Sequence, residues 1–308
     1  MARRKAGQPI NGWLVIDKPQ GLTSAAAVAI VRRTLDAAKA GHGGTLDPLA
    51  TGVLPIALGE ATKTVSYIQD GTKIYRFTAR WGEQRDTDDA EGAVVAVSDQ
   101  RPAPADILAI LPRFRGEIEQ VPPRFSAVKV AGQRAYALAR AEQPVDLAAR
   151  TVRVDRIELV ETPDPDHAVF DVVTGKGVYM RSLARDMAAA LGTVGHVAAL
   201  RRLAVGPFGE TEAIPLDKFR TLGHSAVPQE YLLSVGAALA GIPAISLTEA
   251  EARRLQQGRP IAALPVASRS SLTQAACGGV VYAMACGRPV ALAQVRGGEI
   301  RPLRILNL

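Results

Sequence analysis

The chain has 308 residues, 47% hydrophobic and 22% charged, which suits a soluble globular protein with one sizeable core and a smaller second unit. No apolar run reaches the roughly 18 residues of a membrane span, and MARRK leads into GQPING instead of an apolar stretch, so neither a membrane protein nor a secretory signal is expected. A net charge of +7 favours a polyanionic partner, while two cysteines give no disulfide framework and point to a reducing cytoplasm.

In chain order, WLVID (13–17) reads as a short buried strand. Thr23 and Ser24 can cap the following helix, whose apolar positions Val28, Val31 and Leu35 recur at helical spacing. Gly41 is placed to end it, and an apolar run follows from Val53 to Leu58. KIYRFTARW (73–81) alternates, with Tyr75, Phe77, Ala79 and Trp81 on one face of a half-buried strand. RDTDDAEG reads as a polar loop, and Pro104 opens a short helix over 104–111. TVRVDRIEL and AVFDVV are two more strands connected by TPDPDH. Tyr179 to Leu191 reads as a helix stopped by Gly192. A second unit begins near Gly241-Ile242-Pro243, with a helix over Glu249 to Gln256 and short strands to the end. It is basic: residues 243–308 hold eight arginines, no lysine and three glutamates. Strands and helices mix without a βαβ rhythm, which predicts an α+β fold with a mixed, largely antiparallel sheet. Buried structural positions are the default for Cys277 and Cys286.

GHGGTLDPLATGVLPIALGEATK (41–63) concentrates the unusual chemistry. A dinucleotide loop is excluded, because the glycine pattern breaks at Leu46 and the segment follows a helix; no G-x-x-x-x-G-K-[ST] occurs anywhere. Scattered histidines and cysteines match no zinc spacing, so no metal is expected. Asp47 remains. Pro48 biases it away from helical geometry, and spacing alone leaves two readings open: a local turn aspartate or a presented carboxylate.

The same loop resembles the signature G-H-x-G-x-L-D-P-x-A-x-G-x-L of the TruB family of tRNA pseudouridine synthases. LVIDKPQGLTS (14–24) resembles the family's lysine-proline motif, and KIYRFTARWGEQRDTDDAEG its tyrosine strand with the acidic loop. QVPPRFSAVKVAGQRAYALAR (120–140), GKGVYMRSLARDMAAALG and LRRLAVGPF follow in the family's order. The likeness spans about residues 12 to 210. One departure is Gly43, where many relatives carry threonine.

This resemblance implies a catalytic domain over 1–240, with a segment at about 124–149 that grips the T loop, and a small β-rich, PUA-like RNA-binding domain over 241–308. It implies isomerisation of uridine to pseudouridine in the T loop of tRNA, at position 55, with no cofactor and no protein partner, by a monomer. By the same likeness Asp47 is the catalytic carboxylate and Arg181 its partner. Tyr75 packs on the uracil and takes the C5 proton, and Tyr179 stands beside the site. His42 fills the gap left by the flipped base, Lys18 with Pro19 supports the site, and Leu200 walls the pocket. Arg124, Lys129, Arg134 and Arg140 are placed to contact phosphates. Two other readings share the scaffold: a noncatalytic RNA-binding factor, and a synthase working in guide-dependent complexes.

Overall fold

The computed structural model describes residues 7–126, 128–130, 133–134, 141, 147–222, 231–270 and 279–308; Arg140 and Cys277 lie outside the described residues. Strand β1 (Gly12–Lys18) is buried almost throughout, as an unbroken apolar run requires when both faces are covered. The next helix runs Ser24–Thr34, capped by Thr23, whose hydroxyl accepts from the Ala26 amide at 3.1 Å. It ends before the glycine that was expected to stop it. Leu35 closes the last turn, Asp36 takes the left-handed conformation (φ 46°), and Gly41 lies within β2 (Ala40–His42). This strand pairs antiparallel with β3 (Thr51–Leu58), so residues 43–50 form the loop of a hairpin.

Strand β4 (Lys73–Trp81) follows the helix Val65–Asp70. Next, β5 (Glu83–Arg85) and β6 (Val94–Val97) pair with each other and enclose the acidic segment. That segment is the polar loop expected, with two of its carboxylates, Asp88 and Asp89, buried. The helix Pro104–Ile110 leads to β7 (Gly116–Gln120), and β8 (Lys129–Val130) pairs with β9 (Gln133–Arg134). The next pair is β10 (Arg150–Asp164) with β11 (His167–Thr174). Here β10 continues into the TPDPDH stretch expected to be connection. Register shifts between Leu159 and Asp164 give Pro163 a place in the strand where the regular ladder is interrupted. The helix Met180–Ala190 then packs on β12 (Gly195–Val205), followed by β13 (Phe208–Gly209) and β14 (Ile214–Pro215).

Among the described residues these strands, apart from β5–β6 and β8–β9, form one mixed sheet in the order β14-β1-β3-β12-β4-β11-β10-β7. Its pairs are antiparallel except β1–β14 and the short contact of β12 with β3, Arg201 opposite Thr51 and Arg202 opposite Gly52. One core cluster gathers Phe77, Trp81, Phe170 and Leu183; another gathers Leu14, Val31, Leu54 and Phe219. Tyr75 and Leu200 pack against both. The seam between these clusters is where the pocket opens.

A second sheet holds β15 (Ala244–Ser246), β16 (Ile261–Ala262), β17 (Val280–Ala285), β18 (Arg288–Arg296) and β19 (Glu299–Ile305), in the order β15-β17-β18-β19-β16, with the helix Glu249–Gln256 packed on it. Cys286 is exposed in the turn after β17, with φ 49°, so the buried position expected of it is wrong; a tight turn between two paired strands carries it to the surface. Past β19 the chain returns to the first sheet, and Leu306 is buried with Trp13, Ile68 and Phe208. Among the described residues no helix is long and apolar enough to cross a membrane.

Candidate active site

The hairpin loop carrying Asp47 is held on both sides of the carboxylate. Leu46 and Leu49 are buried. Ser24, which could have capped its own helix, instead donates from its hydroxyl to the Leu46 carbonyl at 3.0 Å and accepts from the Leu46 amide at 2.8 Å. The Gly21 amide donates to the Pro48 carbonyl at 2.8 Å. Lys18, fully buried, donates to the carbonyls of Leu22 (2.7 Å), Pro19 (2.9 Å) and Pro48 (3.3 Å). Its ammonium thus ties the lysine-proline turn to the Asp47-Pro48 turn. Burial lowers its pKa to about 8, against the opposing pull of Asp47 and Glu91.

Arg202 braces the same loop from below. It is buried, and its guanidinium donates to the carbonyls of Val53 (2.8 Å), Gly44 (3.2 Å) and Thr45 (3.4 Å). Its backbone lies against Gly52, where a β-carbon would fall 2.2 Å from the Arg202 carbonyl oxygen and where φ is +98°. Only glycine permits that approach. On its other side, Arg202 is the cross-strand neighbour of Tyr75. One residue therefore sets the spacing between the base of the aspartate loop and the tyrosine strand.

Asp47 projects into an open cavity of about 440 Å³, whose wall includes Tyr75, Tyr179, Arg181 and Leu200. Arg181 lies in the first turn of the helix Met180–Ala190 and its side chain is 6% exposed, against 37% for Asp47. Its Nη2 sits 2.9 Å from the Asp47 carboxylate and 2.9 Å from the Phe125 carbonyl oxygen. Its Nη1 bonds the Thr87 carbonyl at 3.0 Å and lies 3.5 Å from the buried carboxylate of Asp89. A buried guanidinium shared between two carboxylates is rigidly held, so Asp47 meets a fixed partner on one side and open cavity on the other. Asp88 makes a parallel pair, 2.7 Å from Arg185 Nη1; burial raises its pKa while Arg185 and Arg181 oppose the shift.

Of the other sequence candidates, Tyr179 is the residue before the helix and its phenol is raised by burial. His42 and Lys18 are outside the cavity wall. His42 flanks it, its imidazole pushed below its ordinary pKa by burial and then by Arg202, which favours the neutral ring. Arg124 is exposed and also outside the wall. Lys129 and Arg134 are backbone register partners in the β8–β9 pair, and Arg140 lies outside the described residues. Sequence reasoning missed Arg202, Asp89 and the cavity-lining lysines Lys73 and Lys176.

This sheet, with an arginine-clamped aspartate at its central seam, is that of a pseudouridine synthase. A chain of a Cbf5–Nop10–Gar1 complex superimposes with a TM-score of 0.74 at 25% identity, covering 96% of this chain and 84% of that chain. A chain of an H/ACA RNP bound to a substrate RNA shares the fold at 22% identity and TM-score 0.72, covering 100% and 92%.

Residues 32–180 match the model of the TruB family pseudouridylate synthase N-terminal domain, and residues 181–239 that of the tRNA pseudouridylate synthase B C-terminal domain. The tRNA pseudouridine synthase B of Rhodospirillum rubrum is 61% identical over 100% of both chains. That of Gluconacetobacter diazotrophicus is 58% identical over 99% of this chain and 100% of the relative. The chain belongs to the TruB family of pseudouridine synthases.

Proposed function

We propose that the chain converts uridine to pseudouridine at position 55 in the T loop of tRNA, with Asp47 as the catalytic carboxylate. The carrying observation is the Asp47–Arg181 pair: a half-exposed carboxylate, 2.9 Å from a buried guanidinium, at the rim of a cavity walled by a tyrosine and a leucine. A buried guanidinium of this kind offsets the charge of the carboxylate as substrate displaces water. The reaction breaks the bond between C1′ and N1 of uridine, turns the uracil, and joins C5 to C1′. The C5 proton is lost and N1 gains one, so the product is an isomer. An ionised aspartate serves either route to bond cleavage, by attacking the ribose or by taking a sugar proton.

The target base must leave the stack to reach Asp47. Tyr75 offers its ring to the uracil face and its hydroxyl to the C5 proton, while Leu200 closes the wall. His42, held neutral beside the cavity, fills the stacking gap. Arg124, Lys129, Arg134 and Arg140 contact phosphates around the T arm, and residues 241–308 add basic RNA-binding surface. The protein acts as a cytoplasmic monomer on tRNA that is read mainly by shape and unstacked loop bases.

The test is incubation with unmodified tRNA transcript followed by mapping of pseudouridine. Wild type is expected to modify one T-loop uridine, and Asp47→Asn to lose at least about 10³-fold in rate, the scale of removing a group essential to the chemical step. The variant should still retain tRNA on a filter. No product from wild type sinks the activity; a normal rate from Asp47→Asn sinks the residue assignment.

A further inference from the structure

The wall that faces the helix Val65–Asp70 carries more positive charge than the reaction at Asp47 uses. Lys73 and Arg202 are buried there, and Lys176 stands at the rim. Lys73 caps the end of that helix, donating to the Gly71 carbonyl at 2.5 Å and to the Gln69 carbonyl. Arg202 is bonded to the three backbone carbonyls described above. The carboxylate that meets this group is Asp70, 2.7 Å from Lys176 Nζ, and both side chains of that pair are mostly exposed, 59% and 68%. Among the described residues, Lys73, Arg202 and Lys176 converge on one side of the cavity, and Asp70 reaches the group only through its pair with Lys176. The cations repel one another: burial first, then Arg202 and Lys176, push the Lys73 amine down to about 8, with Asp70 opposing the fall.

Such a group is relieved by an anion. An exposed lysine–aspartate pair contributes little to stability, so Lys176 can leave Asp70 for a better acceptor at small cost. A phosphate oxygen in the field of Lys73 and Arg202 is a better acceptor than a solvated carboxylate. Gly177 follows Lys176 with φ +88°, turning the chain so that Tyr179 and Arg181 enter the same cavity from the same segment. The lysine that would hold a phosphodiester and the groups that meet the nucleoside are thus fixed by one stretch, 176–181.

We propose that Lys176, supported by Lys73 and Arg202, forms a phosphodiester subsite of the cavity that anchors the backbone of the flipped nucleotide, with Asp70 occupying Lys176 in the absence of RNA. The proposal rests on the activity proposed above. It differs from a structural strut in predicting that the two halves of the ion pair behave oppositely.

The experiment measures tRNA affinity of the full chain against salt concentration for wild type, Lys176→Ala, Lys176→Arg and Asp70→Asn. Lys176→Ala is expected to weaken binding roughly 3- to 10-fold and to lower the slope of log K against log salt by about 0.7 to 1, one phosphate contact. Lys176→Arg should keep the wild-type slope. Asp70→Asn should bind at least as tightly as wild type, since it frees the lysine. The subsite is overturned if Lys176→Ala keeps the wild-type affinity and slope, or if Asp70→Asn weakens binding as much as Lys176→Ala does. Either result leaves an active wild type intact, whereas a wild type that makes no pseudouridine removes the activity itself.

Discussion

Ile68 occupies the space that a side chain at Gly43 would need: a β-carbon there would fall 2.8 Å from Ile68 Cγ2 and 3.4 Å from the Trp13 ring. The glycine in the loop that bears Asp47 is thus matched by a bulky partner on the helix Val65–Asp70 beneath it. Gly43→Thr alone is therefore expected to cost about 1–3 kcal/mol through overpacking and to displace the loop that bears Asp47. Ile68→Ala alone should cost about 2–5 kcal/mol as a cavity. Together they should cost less than their sum by at least about 1 kcal/mol. Urea unfolding of the four proteins checks this, and strict additivity would show that the two residues do not share the space.

Arg202 carries the second prediction. A methionine of similar length in its place leaves the carbonyls of Gly44, Thr45 and Val53 without their donor, at about 1–3 kcal/mol for each one that stays buried and unbonded. Arg202→Met should lower stability by about 2–4 kcal/mol, within the range of broken buried networks. Turnover at saturating tRNA should fall about 10- to 100-fold, because misplacing a reacting group by an ångström costs on that order. Arg202→Lys should lie between the two, since one ammonium cannot span three acceptors arranged for a planar fork. A single-turnover rate equal to wild type in Arg202→Met would remove the brace from the account.

The sequence is most legible where periodicity and punctuation agree. The alternation of β4 foretells its buried face. Tyr75, on that face, packs against both core clusters and also lines the cavity. Asp47 and Arg181 could be paired beforehand only by family likeness, since 134 positions separate them and no local pattern links them. The bracing role of Arg202 is not written in the LRRLAVGPF block that contains it: its partners are backbone carbonyls, which have no residue type. Asp88 and Asp89 lie in a segment rightly read as a polar loop, but the burial of both carboxylates depends on Arg181 and Arg185 from a distant helix, which no local pattern announces. The helix stop at Gly41 fails because Asp36 already takes the left-handed turn, which frees the glycine to enter a strand.

The end of the chain supplies a third prediction. Leu306 is 1% exposed, and the turn 59–63 clasps the residues around it: Lys63 donates to the Ile305 carbonyl at 2.7 Å, and Glu60 accepts from the Asn307 amide at 2.7 Å. The tail therefore ties the second sheet to the apolar layer behind the site, where Ile68 also lies. Leu306→Ala should destabilise by about 2–4 kcal/mol, the cost of a buried leucine cavity. Glu60→Gln should cost less than about 1 kcal/mol, because its pairing with Lys63 is partly solvated. A thermal shift for Leu306→Ala no larger than that for Glu60→Gln would contradict the anchoring.

Lys18 makes the stability of the fold depend on pH in a defined direction. Its amine falls from 10.5 to about 8 on folding, so at neutral pH the folded state holds a buried ammonium that the unfolded chain would solvate. Below pH 8 the lysine is protonated in both states and the cost is complete. Between about 8 and 10.5 the unfolded chain binds more protons than the folded one, so stability rises with pH, and the gain is complete above 10.5. The whole shift corresponds to something on the order of 3 kcal/mol. Asp47 and Glu91 hold the value up, while Arg202 adds to the fall. Lys73, also near 8, titrates in the same window, so the wild-type curve alone cannot isolate either lysine. The comparison with Lys18→Met can, because Lys73 and the other groups cancel in the difference. That variant loses the donors to Leu22, Pro19 and Pro48 at every pH, a constant offset. Superimposed on it, the wild type should gain stability relative to Lys18→Met between pH 7.5 and 9.5, by about 2 kcal/mol. Urea midpoints at the two pH values measure it, and a difference that stays flat or moves toward the variant would show that Lys18 keeps its ordinary affinity for the proton.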